Sequence, residues 1–318
     1  MAKYRASLPQ ISGDDVFLTD GGIETFLIFQ QGIDLPYFAA FDLLRDAAGR
    51  DVLRNYYRPF AETAAEAGLG CVLESPTWRA NPDWAAKLGY SDRATVAMNH
   101  EAIALMQELR RDFETPRSPM VISGCVGPRG DGYVAGEAMT PEQAERYHAP
   151  QINAFRRADA DMVTAITMTY PKEAIGIARA AAKAEMPVVI SFTVETDGRL
   201  PSGHSLKEAI AMVDLATGAA PTYYMINCAH PDHFRDAVSK GESWTRRIRG
   251  VRANASRMSH AELDASETLD DGNPAEFGRE HGELLALLPN LRVFGGCCGT
   301  DHRHVHAVAE TCCHRKAA

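Results

Sequence analysis

The stretch Arg292–His302, RVFGGCCGTDH, sets two adjacent cysteines, Cys297 and Cys298, between Gly295-Gly296 and Gly299. A deprotonated cysteine is both a nucleophile and a soft metal ligand. Neighbours on a regular strand point to opposite faces, so a pair that acts together must lie where the chain leaves its strand. Glycines around such a bend can take backbone angles closed to other residues. A third thiol, Cys228, closes an earlier apolar run in MINCAHP. Three thiols offer Zn2+ a tetrahedral sulfur set at about 2.3 Å, and three protein ligands with one position open form the catalytic rather than the structural arrangement. Spacing alone does not separate this from three unrelated core cysteines, a vicinal disulfide or a reactive cysteine. No histidine stands at a recognisable spacing from the three, His230 being the nearest.

The other four cysteines are less well placed. Cys71 opens an apolar run, Cys125 reads as a small buried hydrophobe, and Cys312 and Cys313 read as packing or surface residues of a last helix. The start, MAKYRASLPQISGDD, has no apolar leader segment. With seven cysteines, an odd number, the expectation is a reducing, cytoplasmic setting in which a disulfide framework is not formed.

The elements that must position these thiols follow a regular pattern. Short apolar runs end at VFLTD (Val16–Asp20), CVLES (Cys71–Ser75), MVISGCVG (Met120–Gly127) and DMVTAIT (Asp161–Thr167). Four more follow at PVVISFTV (Pro187–Val194), YYMINC (Tyr223–Cys228), IRGVRANA (Ile248–Ala255) and RVFGGCC (Arg292–Cys298). An amphipathic stretch follows each. Eight strand–helix units in 318 residues imply a parallel sheet closed into a single (β/α)8 TIM barrel of α/β class, one domain over residues 1–318. TPEQ at Thr140 and SLKE at Ser205 are capping boxes that open two of the helices. The longest irregular pieces, Trp78–Asp92, Thr196–His204 and Ser256–Asn273, each follow a strand and would lie over the catalytic end. In that frame Cys228, Cys297 and Cys298 all fall at the mouth.

The net charge of −9 is dispersed along the chain and argues against a nucleic-acid partner. No apolar run approaches the roughly 20 residues that span a bilayer.

Four segments, TDGGIETFL (Thr19–Leu27), VISGCVGP (Val121–Pro128), INCAHP (Ile226–Pro231) and FGGCCGT (Phe294–Thr300), together resemble the homocysteine S-methyltransferase family. The resemblance runs in order from the first strand to the eighth. It implies a zinc-dependent barrel with Cys228, Cys297 and Cys298 as zinc ligands. The implied reaction moves a methyl group from an onium donor, S-methylmethionine-like, to a thiol, homocysteine, giving methionine. Thiolate ligands leave the acceptor sulfur electron-rich, which suits attack on a sulfonium or quaternary ammonium methyl. The implied partners are a small thiol and a methyl donor, with homo-oligomerisation left open.

The resemblance also implies a substrate wall. Asp20, Gly21 and Gly22 match the family's DGG, with glycine backbone N–H groups close to a substrate carboxylate. Glu24 would meet a cationic donor or an amino group, Ser75 and Thr77 would offer hydroxyls to the amino-acid part, and Asn227 would orient the metal site from beside Cys228. Trp78 and Trp84 are candidates for an aromatic wall around an onium methyl, with ordinary packing as the alternative. Asn254 is a further candidate to orient the site. One position departs from the family: Ile166 stands where a glutamate for the acceptor's ammonium is expected, with Thr167 after it. Glu24, Glu74 or Glu195 could replace it, and Glu195 is the preferred substitute. The departure keeps two alternatives in view: the same zinc chemistry on another thiol or onium compound, or a zinc- or thiol-binding module without turnover.

Overall fold

The computed structural model describes residues 1–313; residues 314–318, part of the expected 1–318 domain, and the side chain of Cys313 lie outside the described residues. Eight parallel strands close into a barrel in sequence order, with the first bonded to the last. They are β1 Phe17–Leu18, β2 Gly70–Glu74, β3 Met120–Val126, β4 Met162–Met168, β5 Val188–Phe192, β6 Tyr223–Asn227, β7 Ile248–Ala253 and β8 Val293–Gly296. A helix follows each: α1 Ala47–Ala67, α2 Asp92–Phe113, α3 Pro141–Arg157, α4 Pro171–Lys183, α5 Leu206–Thr217, α6 Pro231–Val238, α7 Pro274–Leu287 and α8 His302–Cys313. Both capping boxes form: Thr140 with Gln143 opens α3, and Ser205 with Glu208 opens α5. Among the described residues no helix is long and apolar enough to cross a membrane.

The period of two along each strand divides the core. One parity, including Leu18, Ile122, Val163, Ile190, Ile226 and Phe294, packs outward against the helices. The other parity faces the barrel axis. At its base it is apolar: Phe17, Val72, Val121, Met162, Val189, Tyr223 and Val293 form a separate cluster. Toward the mouth it turns polar, with Thr19, Glu74, Ser123, Thr164, Ser191, Asn227 and Arg252 all buried. An oily floor beneath a polar upper layer leaves the mouth as the end able to do chemistry.

All the strands but β4, which ends at Met168, stop one or two residues short of the ends of the apolar runs that announce them. The first, sixth and eighth strands end at Leu18, Asn227 and Gly296. Asp20, Cys228, Cys297 and Cys298 therefore stand just beyond the strand ends. Of the pieces expected to be irregular, Trp78–Asp92 contains a helix, Pro82–Lys87, capped by Asn81, and Ser256–Asn273 contains His260–Asp264, which opens on a capping box of Ser259 and Glu262.

The segment before β1 seals the floor. Leu8 is buried in the basal cluster, with Tyr4 and Ile11 against it. The Tyr4 N–H donates to Asp161 Oδ1 at 2.7 Å, and Arg110 pairs with the other oxygen of that buried carboxylate at 2.7 Å. Leu8→Ala is expected to lower the unfolding free energy by about 2–3 kcal/mol without changing metal content. Urea unfolding and metal analysis of the two proteins check this.

Candidate functional site

The three thiols that the sequence marks come together. Cys228 Sγ lies 2.8 Å from Cys297 Sγ and 3.7 Å from Cys298 Sγ. The three sulfurs fall within 4.8 Å of one another. A tetrahedral site with metal–sulfur bonds of about 2.3 Å has sulfurs roughly 3.8 Å apart. The Cys228–Cys298 spacing already matches, and the Cys228–Cys297 pair has about 1 Å to open. The donor set and its convergence fit a soft metal ion.

Each thiol is aimed by its backbone. Cys228 takes φ 55°, a left-handed angle uncommon for a residue with a Cβ. Its N–H donates to the Arg252 carbonyl at 3.1 Å, and its carbonyl accepts from His260 Nε2 at 2.6 Å. Cys297 N–H donates to the Ala253 carbonyl at 2.8 Å. Gly299, at φ 80°, turns the chain after the pair. Gly295 and Gly296 do not bend the chain, contrary to expectation; they are small because space is lacking. A Cβ on Gly295 would sit 2.0 Å from Thr19 Oγ1, and one on Gly296 1.9 Å from Thr300 Oγ1.

Space is short at the DGG element too. A Cβ on Gly21 would lie 2.8 Å from the Thr300 carbonyl oxygen, and one on Gly22 2.4 Å from that of Cys297. The Gly22 N–H is already spent on Thr300, at 3.1 Å from its carbonyl and 3.2 Å from its hydroxyl. These glycines let β1's exit lie flat on β8's exit. Asp20 is buried in an ion pair with Arg252, Oδ1 to Nη2 at 2.8 Å, and Tyr56 donates to its other oxygen at 3.1 Å. Arg252 also donates to the carbonyls of Gly296 and Gly21, each at 3.1 Å.

A cavity of about 320 Å³ opens over the thiols. Of the expected substrate residues, Asp20, Gly21, Glu24 and Ser75 line it, as does Ile166. Gly22, Thr77, Glu195 and Asn227 do not line it. Thr77 bonds the Ser75 hydroxyl at 2.7 Å and the Cys125 carbonyl at 2.7 Å. Asn227 steadies β4 rather than a sulfur: its Oδ1 accepts from the Thr167 N–H at 2.9 Å and the Ser191 hydroxyl at 2.6 Å, and its Nδ2 donates to Thr167 Oγ1 at 2.9 Å. This holds Thr167 at φ 65°, a rare angle for a β-branched residue. Asn254 donates its backbone N–H to the Ala229 carbonyl at 3.1 Å. Glu195, the preferred ammonium receptor, instead lies 3.2 Å from His260 Nδ1. Trp78 lines the cavity, but the guanidinium of Arg79 sits 3.9 Å from both its ring and that of Trp84. Those aromatic faces are therefore already taken by a cation. His230, buried, caps α6 by accepting from the Asp232 N–H at 3.2 Å.

Three residues were not found by sequence reasoning. Tyr133, from the loop after β3, sets its hydroxyl 3.2 Å from Cys298 Sγ and 3.7 Å from Cys228 Sγ. Its ring stacks on His260 with centroids 4.2 Å apart. Arg252 had one visible signal, an arginine at an axis-facing position of a barrel strand; the loop residues Tyr133 and His260 had none. Hydrogen bonds from Cys228, Cys297 and Tyr133 push the Cys298 thiol well below its usual range, so it is the sulfur most ready to lose its proton.

A closed parallel barrel with convergent thiols beyond β6 and β8, beneath a mouth cavity, defines a (β/α)8-barrel protein with a soft-ligand centre. The sequence model described as homocysteine S-methyltransferase matches residues 17–312, and the chain belongs to that family. Homocysteine S-methyltransferase 3 of Arabidopsis thaliana is 22% identical over 209 residues, 61% of this chain and 58% of that one; the chain thus matches little more than half that relative's length. The oxidised form of the Escherichia coli homocysteine methyltransferase MmuM superposes with a TM-score of 0.75 at 20% identity, covering 97% of this chain and 99% of that one. Its metallated form gives a TM-score of 0.73 at 18% identity, covering 94% and 96%. At such identities the likeness is one of fold.

Burial raises the Glu74 carboxyl from 4.5 to about 7. The unfolded chain releases that proton near 4.5 and the folded chain near 7, so stability from this group falls as pH rises through that window and is flat on either side. Glu74→Gln removes the loss. The metal-free variant is expected to gain stability on metal-free wild type between pH 4.5 and about 7, read by urea unfolding across pH. An unchanged difference across the window counts against it.

Proposed function

We propose that this protein is a zinc-dependent S-methyltransferase that moves a methyl group from an onium donor of the S-methylmethionine type to homocysteine, giving methionine. In this reading Cys228, Cys297 and Cys298 hold the metal. The observation that carries it is the convergence of three sulfurs from two strand ends on one cavity wall, in a chain of this family. The plant and bacterial proteins it resembles are named for homocysteine, and one bacterial structure is a metallated form. Both facts support the acceptor and the metal.

Zinc, when bound, supplies an acceptor sulfur already deprotonated at neutral pH, where a free thiol with a pKa near ~8.5 is mostly protonated. The new carbon–sulfur bond forms as the donor's carbon–sulfur bond breaks, and the electron pair leaves with the donor, which becomes neutral. The acceptor's proton has gone to solvent beforehand, so no general base is needed at the methyl. The chain's own task is alignment and exclusion of water. The Tyr133 hydroxyl covers the sulfurs from the β3 side, and its stacking on His260 fixes it there. The donor's positive charge meets the carboxylates of Glu24, Asp131 and Asp264 on the cavity wall, a gathering that raises the local concentration of cations. Trp78 contributes a hydrophobic edge rather than an open cation-binding face.

Purified protein is expected to carry about one zinc per chain, and Cys298→Ser to lose it. Zinc-loaded wild type is expected to methylate homocysteine from S-methylmethionine. Zinc without transfer from any onium donor to any thiol would leave a metal-binding module and end the enzymatic reading; no zinc would end both.

A further inference from the structure

Two buried side chains of opposite charge line the cavity, and each has one atom without a hydrogen-bond partner. Arg252, on β7, is 6% exposed and lines the cavity. Its Nε and Nη2 are used, but Nη1 has no hydrogen-bond partner. Glu74, the last residue of β2, is 3% exposed and lines the same cavity, and its Oε2 has no partner. The two feel each other's charge, yet among the described residues no ion pair joins them. Leaving a buried donor or acceptor unmet costs about 1–3 kcal/mol, more for a charged group. A ligand that meets both recovers that cost.

The other candidates for an ammonium are excluded one by one. Ile166 lines the cavity and is apolar. Asp20 Oδ1 also lacks a hydrogen-bond partner, but its charge is spent on the ion pair with Arg252 Nη2 at 2.8 Å, and Tyr56 bonds the other oxygen. Glu195 is turned to His260 and does not line the cavity. Glu24 is only half-buried and carries no unmet buried oxygen. Asp131 and Asp264 also line the cavity but are exposed, whereas Glu74 combines burial, an oxygen without a hydrogen-bond partner and a place in the cavity lining. On the anionic side, guanidinium recognises a carboxylate in a planar, charge-assisted geometry, and Arg252 is already held rigid by its other contacts.

We propose that Arg252 Nη1 and Glu74 Oε2 are the receptors for the carboxylate and the ammonium of an α-amino-acid thiol, a specificity pair that stands in for the missing glutamate at 166. This rests on the thiol-acceptor reading of the site and names which of its residues select the acceptor. The pair rejects a thiol lacking either charge, because each missing group leaves one of the two atoms buried and unmet.

The test reads binding and no methyl transfer. Methionine, its analogue without the ammonium and its analogue without the carboxylate are titrated calorimetrically into zinc-loaded wild type, Glu74→Gln and Arg252→Lys. Wild type is expected to bind methionine about 10- to 100-fold more tightly than either analogue. Glu74→Gln should erase the preference over the ammonium-free analogue and keep the preference over the carboxylate-free one. Arg252→Lys should do the reverse; if it fails to fold, the near-isosteric Glu74→Gln carries the test. Equal binding of all three ligands by wild type, a uniform weakening in Glu74→Gln, or no binding of methionine overturns the pair. A persisting preference with no methylation of homocysteine would instead sink the methyl-transfer reading and leave the pair standing.

Discussion

The site depends on one close approach. The exits of β1 and β8 lie backbone against backbone, and no side chain fits between them at Gly21, Gly22, Gly295 or Gly296. Arg252 fastens the contact from β7 by bonding the carbonyls of Gly21 and Gly296 and pairing with Asp20. A buried ion pair is a poor source of net stability, since removing two charges from water costs about what their attraction returns. Its value lies in geometry. With the two exits pinned, the loop from Cys297 to Thr300 has one course, and both thiols are presented toward β6.

The partner thiol is presented by strain. Cys228 at φ 55° and Thr167 at φ 65° each cost on the order of 1–3 kcal/mol relative to relaxed backbone. They persist because neighbours over-determine them. His260 and Arg252 bond the backbone of Cys228, and Asn227 bonds Thr167 twice. Asn227 and Cys228 are adjacent in the chain, so one strand end serves two purposes: its amide shapes β4 and its thiol faces β8. A methylene more or less at 227 would move both.

The strand order and the meeting of Cys228, Cys297 and Cys298 were legible because they rest on periodicity. The apolar runs gave the strands, and the barrel rule puts every strand's C-terminal end in one place. What the sequence hid depends on contacts between distant segments. Gly295 and Gly296 read as bends, yet their smallness serves Thr19 and Thr300. Glu195 read as a substrate group from its place just after the fifth strand, and nothing local could show that His260 would hold it. Tyr133 lies in a stretch with no period, where position is set by what the loop lands on. Arg252 was visible as an oddity: a charge at an axis-facing position toward the mouth end of its strand.

That oddity and the departure at 166 belong together. With an arginine beside it, Asp20 no longer offers an uncompensated carboxylate, and with isoleucine on β4 the opposite wall offers none either. A cavity altered only in those two ways would hold an anion well and an ammonium badly. Glu74 restores the balance on β2, separated from β7 by β8 and β1, with its Oε2 lacking a hydrogen-bond partner. Moving the negative group from one strand to another keeps the number of charges and changes the direction from which the acceptor is gripped, while the sulfurs beyond β6 and β8 stay where the barrel puts them. A (β/α)8 barrel tolerates this because each wall residue comes from its own strand end, so selectivity can migrate around the rim without disturbing the centre.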